Sequence, residues 1–435
     1  MKMHLPIINW LPNYPKKYWR GDIAAGITVA IMLIPQGMAY AMIAGLPPVY
    51  GLYASIVPQI IYALFGTSRQ LAVGPVAMDS LIVAAGVSAI AEAGSQYYIS
   101  MAILLALIMG VIQVILGLTK AGFLVKYLSR PVIIGFTNAA AFIIAVNQIK
   151  YLLGVSLKRG DVTEIIIEAV HSYSKYNWPT VLISVAAILI LVFLKKLNNK
   201  IPSALVVVGL GTLAVLFGKW NELGVSIVQG IPEGLPSFKV PSFDMRDLSQ
   251  LAPTALTLAL IAFMESISVA KAIQEKHKEE YKLDNNQELI GLGMGNIIGA
   301  FFQCYPTTGG FSRSAVNNDA GANTNLAAII SAVLIGVTLL FLTSWFYYLP
   351  HAVLGSIIVV AVLGLVKFKE IKSSFQLCKL DFALIMITFL ITLGFGITPG
   401  ILIGVMISIA LEALKRKYPD LCNKSYHLQN SSDVN

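Results

Sequence analysis

An arginine stands in the middle of an otherwise apolar part of the chain, in the stretch TTGGFSRSAVN at residues 307–317. A guanidinium can donate several hydrogen bonds to one planar or tetrahedral oxyanion. On a lipid-facing surface the same group would cost about 2.5–3.5 kcal/mol or more. Arg313 therefore indicates a polar interior that binds an anion, and it requires a partner.

Two acids lie within apolar sequence. The first is Glu265, in AFMESISVAKAI, which we expect to pair with Arg313 across a cavity or as a structural ion pair between helices. The second is Asp79, which either serves coupling or caps its own helix region. The hydroxyls of Ser312 and Ser314 either contact the anion or cap the helix that begins there.

An amide and a phenol share one face of the first long apolar segment. Gln36 and Tyr40 are spaced i, i+4, so a helix projects both side chains in the same direction. Such a pair suits hydrogen bonding to a ligand, and it equally suits hydrogen bonding between two helices.

The composition indicates an integral membrane protein. The chain has 435 residues, of which 57% are hydrophobic and only 12% charged, whereas soluble domains carry about 25% charged residues. The net charge of +9 does not require a nucleic acid partner. With a cytoplasmic N-terminus, most basic residues fall on the cytoplasmic side of the bilayer, as the positive-inside rule predicts.

Apolar segments long enough to cross or enter the bilayer predict an all-α membrane protein with fourteen transmembrane segments. The predicted segments lie near 23–44, 48–66, 70–90, 98–118, 131–150, 177–194, 201–218, 250–272, 286–303, 305–319, 322–343, 351–366, 380–394 and 398–413. The predicted divisions are a cytoplasmic N-terminal segment 1–22, a first seven-helix repeat 23–218, a linker 219–249, a second seven-helix repeat 250–414 and a short cytoplasmic tail 415–435.

Two sets of seven segments imply an inverted repeat, because an odd number places the second set in the opposite orientation. IIYALFG at 60–66 corresponds to IIGAFFQ at 297–303, and the same offset aligns Gly74-Pro75-Val76 with Phe311-Ser312-Arg313. Each set also contains a short third segment interrupted by Gly and Pro. Matching broken segments point to a transporter site near the bilayer midplane.

The broken segments predict two half-helices that meet at this midplane. Pro75 suits the first turn of one half-helix, and Gly309-Gly310 allow a close backbone approach before the other. Each N-terminus carries about +0.5 of effective charge, so together the two form an anion site made of backbone. The scattered histidines and unpaired cysteine spacing predict no metal site and no cofactor. Catalytic residues are not predicted, since neither Ser312 nor Cys304 has a histidine nearby to act as base, and we therefore expect no enzyme.

The segments IPQGMAYA, GLPPVYGLYASIVPQIIYALFGTSRQLAVGP and GGFSRSAVN resemble the sulfate permease (SulP) family of anion transporters. The resemblance implies a mobile core domain, a gate domain, an elevator-type movement and a homodimer. Most members continue into a cytosolic STAS domain. Only a short polar tail follows here, so we expect either that this member lacks the domain or that the domain was removed from the chain.

The resemblance also implies roles for individual residues. Gln36 and Tyr40 would line the substrate site, Val76 and Ala77 would supply the start of the first half-helix, and Ser312 and Arg313 the start of the second. Glu265 would be the proton-coupling acid.

The charge of the site favours sulfate as substrate and a proton as coupling ion. The two helix ends and Arg313 give about +2 when Glu265 is protonated, which suits a dianion, and about +1 when it is ionised, which suits bicarbonate, chloride or nitrate. We therefore expect proton–sulfate symport across a cell membrane, with both termini cytoplasmic. The alternatives are a sodium-coupled bicarbonate symporter, an exchanger of chloride, bicarbonate or oxalate, and a passive anion channel.

Overall fold

The computed structural model describes most of the chain, namely residues 5–122, 130–157, 162–197, 202–242, 244–277, 281–364, 366, 368–396, 399–400, 403–408 and 410–411. The predicted tail 415–435, the first four residues of the predicted N-terminal segment and much of the predicted last segment 398–413 lie outside these described residues.

The described residues are mainly helical. The α-helices are α1 Ile7–Trp10, α2 Trp19–Ile43, α3 Val49–Tyr53, α4 Val57–Phe65, α5 Ala77–Ser88, α6 Gln96–Leu118, α7 Arg130–Asn147, α8 Ile149–Leu153, α9 Val162–His171, α10 Trp178–Leu197, α11 Ser203–Gly218, α12 Met245–Gln274, α13 Asn285–Phe301, α14 Phe311–Asp319, α15 Leu326–Phe341, α16 His351–Leu363, α17 Phe368–Leu377 and α18 Lys379–Phe395. Short 3₁₀ helices cover Lys16–Tyr18, Tyr173–Lys175, Glu275–His277 and Thr343–Phe346. Two short strands are β1 Val73–Gly74 and β2 Thr308–Gly309.

Long apolar helices confirm the prediction of a helical membrane-type protein. In the described part of the chain, six helical stretches are long and apolar enough to cross a membrane: Lys16–Ile43, Gln96–Leu118, Arg130–Leu153, Trp178–Leu197, Met245–Gln274 and His351–Leu377. Shorter apolar helices cover Val49–Phe65, Ala77–Ser88, Ser203–Gly218 and Leu326–Phe341. The count of fourteen segments and the inverted relation of the two halves stay predictions.

Glycines allow α13 to pack closely on its neighbours in the interior. Helix α13 contacts α6 and α4 extensively, and a Cβ added to Gly293 would lie 2.7 Å from the carbonyl oxygen of Gly110 on α6. On its other side, Gly295 and Gly299 face Pro58 of α4. The glycines of GLGMGNIIG therefore form a packing face, as small residues do between membrane helices.

A buried carboxyl group on α13 holds the chain that leads into β1. Glu288 is fully buried and accepts hydrogen bonds from the Tyr62 hydroxyl at 2.6 Å, from the Thr67 hydroxyl and backbone N–H at 2.6 Å, and from the Ser68 N–H at 3.0 Å. These donors lie more than 200 residues away in the sequence. The contact therefore fixes the first broken segment against the second half of the chain.

An equivalent carboxyl contact follows the second broken segment. Asp22, in the first turn of α2, is fully buried. Its oxygens accept hydrogen bonds from Asn323 N–H at 2.6 Å and from the N–H and hydroxyl of Thr324 at 3.0 and 2.7 Å. One anchor therefore binds the chain before β1 and the other binds the chain after α14.

Loss of the Glu288 anchor should destabilise the protein strongly. In Glu288→Ala several buried donors lose their acceptor, and we expect the free energy of unfolding to fall by about 3 kcal/mol or more. Thermal unfolding of the detergent-solubilised protein measures the change. The exposed Glu222 provides the control as Glu222→Ala, and an equal fall in the two variants would contradict the anchoring role.

Candidate functional site

The two broken segments meet as an antiparallel pair of strands. Val73 lies opposite Gly309, and Gly74 lies opposite Thr308. Helix α5 begins at Ala77, directly after β1, and helix α14 begins at Phe311, directly after β2. The N-termini of both helices therefore lie beside the same strand pair, which brings two sets of free backbone N–H groups together.

Side chains from neighbouring helices satisfy the backbone of these irregular segments. Asn296 of α13 accepts from the N–H of Thr307 at 2.8 Å and donates to its carbonyl at 3.0 Å. Ser266 of α12 accepts from the Gly309 N–H at 2.9 Å. Non-helical backbone is tolerated at membrane depth only when protein or a cavity supplies such partners. These side chains therefore stabilise the strand pair β1–β2 inside the protein.

Ser314 contributes to the same arrangement. Its hydroxyl accepts a hydrogen bond from the backbone N–H of Ala72 at 2.9 Å. Helix α14 has Gly310 as its N-cap and no side-chain cap. The expectation that Ser312 or Ser314 caps α14 is therefore wrong, because Ser314 binds the strand segment of the other half.

Arg313 lies inside the protein between the two broken segments. Its side chain is only 2% exposed, and its Nη1 donates to the carbonyl oxygen of Pro75 at 2.7 Å. The Nε and Nη2 atoms have no hydrogen-bond partner among the described residues. A Cβ on Gly310 would lie 2.8 Å from the Arg313 Cζ atom, so glycine at this position leaves the space that the guanidinium occupies.

Two tyrosines face the guanidinium of Arg313. Tyr40 of α2 and Tyr305, which precedes β2, are both buried and interact electrostatically with it. The Tyr305 hydroxyl also lies 3.2 Å from the hydroxyl of Ser80 on α5. Tyr305 was not among the predicted site residues. Its place in CYPTTGG, in the same interrupted segment as Gly309 and Gly310, is the sequence signal that points to it.

The other predicted binding residues lie around this centre. Val76 is the N-cap of α5 and Ala77 its first residue, while Ser312 is the exposed second residue of α14. Gln36 lies one turn before Tyr40 on α2 and is half-buried. Phe311 is 67% exposed, so the start of α14 borders accessible space.

Glu265 lies near a different residue from the one expected. It is half-buried on α12, and its carboxyl group interacts electrostatically with that of Asp79. Arg313 forms no salt bridge with any described residue, so the predicted ion pair between Arg313 and Glu265 is wrong.

This arrangement places a buried guanidinium beside two helix N-termini, a candidate anion cradle with Asp79 and Glu265 on the neighbouring helices. A buried guanidinium with available donors and two helix N-termini can bind an oxyanion without help from a metal. Within the described ranges, no group of three or more His, Cys, Asp or Glu side chains could hold a metal ion.

A family profile and individual relatives assign the chain to the same protein family. The profile of the Sulfate permease family matches residues 19–388. The chain is 43% identical over 417 residues to "Sulfate transporter 4.1, chloroplastic" of Arabidopsis thaliana, covering 93% of this chain and 60% of that protein. It is 35% identical over 442 residues to human "Solute carrier family 26 member 6", covering 96% of this chain and 58% of that protein. The chain thus spans about 60% of the length of these relatives.

Solved structures share the fold. The murine Solute Carrier 26 family member A9 anion transporter in the inward-facing state has a TM-score of 0.89 at 27% identity, covering 94% of this chain and 71% of that one. The transmembrane domain of the cyanobacterial bicarbonate transporter BicA has a TM-score of 0.78 at 22% identity, covering 91% and 98%. At that identity the second likeness concerns the fold alone.

Proposed function

Because the chain belongs to the sulfate permease family, we propose that it is a secondary active transporter of inorganic oxyanions and that it takes up sulfate together with protons. Membership of this family also confirms that the chain is a transporter and not an enzyme. Sulfate is favoured because relatives matched over nearly the whole chain are named sulfate transporters.

One observation carries the proposal. The Arg313 guanidinium is buried, its Nη1 donates to Pro75, and its Nε and Nη2 have no partner among the described residues. Burying such donors unsatisfied is costly. An oxyanion bound beside the starts of α5 and α14 would accept from these donors and from the helix N–H groups together.

The acids beside the cradle supply the coupling. Glu265 does not neutralise Arg313 through a direct contact, so its charge acts through the low-dielectric interior that it shares with the anion. Protonation of Glu265 removes a negative charge near the dianion and favours its binding. Deprotonation on the inner side then favours release, and the two equilibria are linked reciprocally.

The finer architecture belongs to this proposal. We propose fourteen segments in two inverted repeats, 23–218 and 250–414, joined by the linker 219–249, with α5 and α14 as half-helices meeting at the midplane. A core domain carrying these helices would move past a gate domain in an elevator-type cycle. We further propose a homodimer in a cell membrane, with both termini in the cytoplasm.

The sodium-coupled alternative has less support at the site. A sodium ion would need oxygen ligands beside Glu265, and Ser266 is the nearest hydroxyl in the sequence. That hydroxyl already accepts from Gly309 N–H and lies 2.7 Å from the Thr308 hydroxyl. Ser268 is exposed. The proton is therefore the favoured coupling ion over sodium.

Uptake of labelled sulfate into proteoliposomes tests the proposal. We expect accumulation when the outside is acidic, no accumulation without a gradient, and no requirement for sodium when potassium or choline replaces it. Unlabelled bicarbonate, chloride and oxalate serve as competitors that establish the substrate class. Equal uptake with and without the proton gradient would exclude proton coupling.

A further inference from the structure

We propose that Asp79 is a second proton-binding carboxyl of the coupling site, so that two protons accompany each sulfate dianion. The inference rests on the proposed proton–sulfate symport and assigns its stoichiometry. It starts from a buried acid that the anion cradle itself does not use.

The Asp79 carboxyl group is buried without a hydrogen-bonding partner. Its side chain is 0% exposed, and neither carboxylate oxygen has a hydrogen bond to any described residue. Structural buried carboxyl groups in this chain are different, since Glu288 and Asp22 each accept several hydrogen bonds. Asp79 therefore does not act as a structural anchor or a helix cap, and a bound proton is what makes its burial tolerable.

Helix packing brings Asp79 and Glu265 together. Helix α5 packs against α12 along its length, with Gly86 against Thr254 at one end. At the other end Asp79 and Glu265 interact electrostatically. Two carboxyl groups in one low-dielectric site disfavour the doubly ionised form, so protons bind to them as a coupled pair.

The titratable groups that face Asp79 are few. Glu265 comes from α12 and Tyr305 from the segment before β2. Helices α2, α6 and α7 also pack against α5. Titratable groups on these helices have other contacts: Tyr40 lies near Arg313, the Tyr98 hydroxyl donates to Ala44, and Arg130 pairs with Glu370.

Tyr305 connects the acid pair with the anion cradle. Its side chain lies near both Asp79 and Arg313. When sulfate binds, its two negative charges favour the neutral form of both acids. When it leaves, the positive charge of Arg313 favours their ionised form. Two protons matched to two negative charges make the transport step electroneutral.

The exposure of the two acids sets an order of proton transfer. Glu265 is half-buried, whereas Asp79 is fully buried, so Glu265 is the more accessible of the two acids. Protons therefore reach and leave Asp79 through Glu265. Removing Asp79 should abolish one proton, while removing Glu265 should block both.

The number of protons is measured from the sulfate accumulation ratio in proteoliposomes at zero membrane potential, clamped with valinomycin and equal potassium. For a gradient of about one pH unit, two protons give a ratio of about 100 and one proton about 10. We expect about 100 for the unaltered protein, about 10 for Asp79→Asn, and about 100 for Glu92→Gln, an exposed acid that serves as control.

The unaltered protein tests the inference even if Asp79→Asn does not fold. A ratio of about 10 for the unaltered protein would overturn the second proton while leaving proton symport intact. The same ratio for the unaltered protein and a folded Asp79→Asn would also overturn it. A ratio near one at every proton gradient would instead contradict the proposed symport, and dependence on a sodium gradient would identify sodium as coupling ion.

Discussion

Arg313→Ala should remove most of the affinity for sulfate while leaving the protein folded. The guanidinium is the charged donor beside the strand pair β1–β2, and its Nε and Nη2 atoms have no hydrogen-bond partner among the described residues. Removing one partner of a buried, hydrogen-bonded charge pair costs about 2–5 kcal/mol, which corresponds to a loss of affinity of at least about 30-fold. Equilibrium binding of labelled sulfate to purified protein measures this loss.

Two further variants separate charge from geometry at this position. Arg313→Lys keeps the positive charge but loses the planar fork of donors, and we expect it to bind sulfate with intermediate affinity. Arg130→Ala removes an exposed arginine whose contact is a surface ion pair with Glu370, and it should bind normally. If Arg313→Ala bound sulfate as tightly as the Arg130 variant, the anion cradle would lie elsewhere.

Glu265→Gln should uncouple sulfate transport from the proton gradient. A glutamine side chain has nearly the shape of the protonated acid, and its amide does not ionise. The site therefore stays in the form that binds the dianion. We expect the variant to bind sulfate and to exchange labelled for unlabelled sulfate. Its accumulation ratio should be about one under any proton gradient, because residue 265 no longer titrates and the proposed proton route to Asp79 runs through it.

Retained exchange distinguishes uncoupling from loss of the fold. Glu265→Asp provides the matched variant, because it keeps a titratable carboxyl group on α12 and should preserve some gradient dependence. Full accumulation by Glu265→Gln under an acid-outside gradient would show that Glu265 carries no coupling proton. Loss of both exchange and accumulation, together with loss of binding, would indicate a structural role for the acid.

Hydrogen bonds at the strand pair β1–β2 explain why these variants can be local in effect. The backbone N–H of Thr307 donates to Asn296, that of Gly309 donates to Ser266, and that of Ala72 donates to Ser314. These bonds do not involve Arg313 or Glu265. The backbone that presents the helix N-termini is therefore held independently of the side chains that bind the anion and the proton.

Local features of the sequence determined the class of protein and the position of the two broken segments. Hydropathy and low charge content indicate membrane helices, since each segment must bury its own length in lipid. Glycine and proline interrupt two of these segments, and backbone breakers act where they stand in the chain. Helix α14 begins directly after Gly309-Gly310 as predicted, whereas α5 begins at Ala77, so Pro75 precedes the helix and is not in its first turn; Arg313 lies inside as its charge requires.

Only the tertiary structure decided which side chains meet. Arg313 bonds to a carbonyl 238 residues away, Ser314 binds Ala72 instead of capping its helix, and Glu265 faces Asp79 instead of Arg313. Such pairings depend on how far each helix is rotated and shifted against its neighbours. A rotation of α12 changes the partner of Glu265 without changing its sequence pattern, because helical periodicity specifies a face but not the helix that the face contacts.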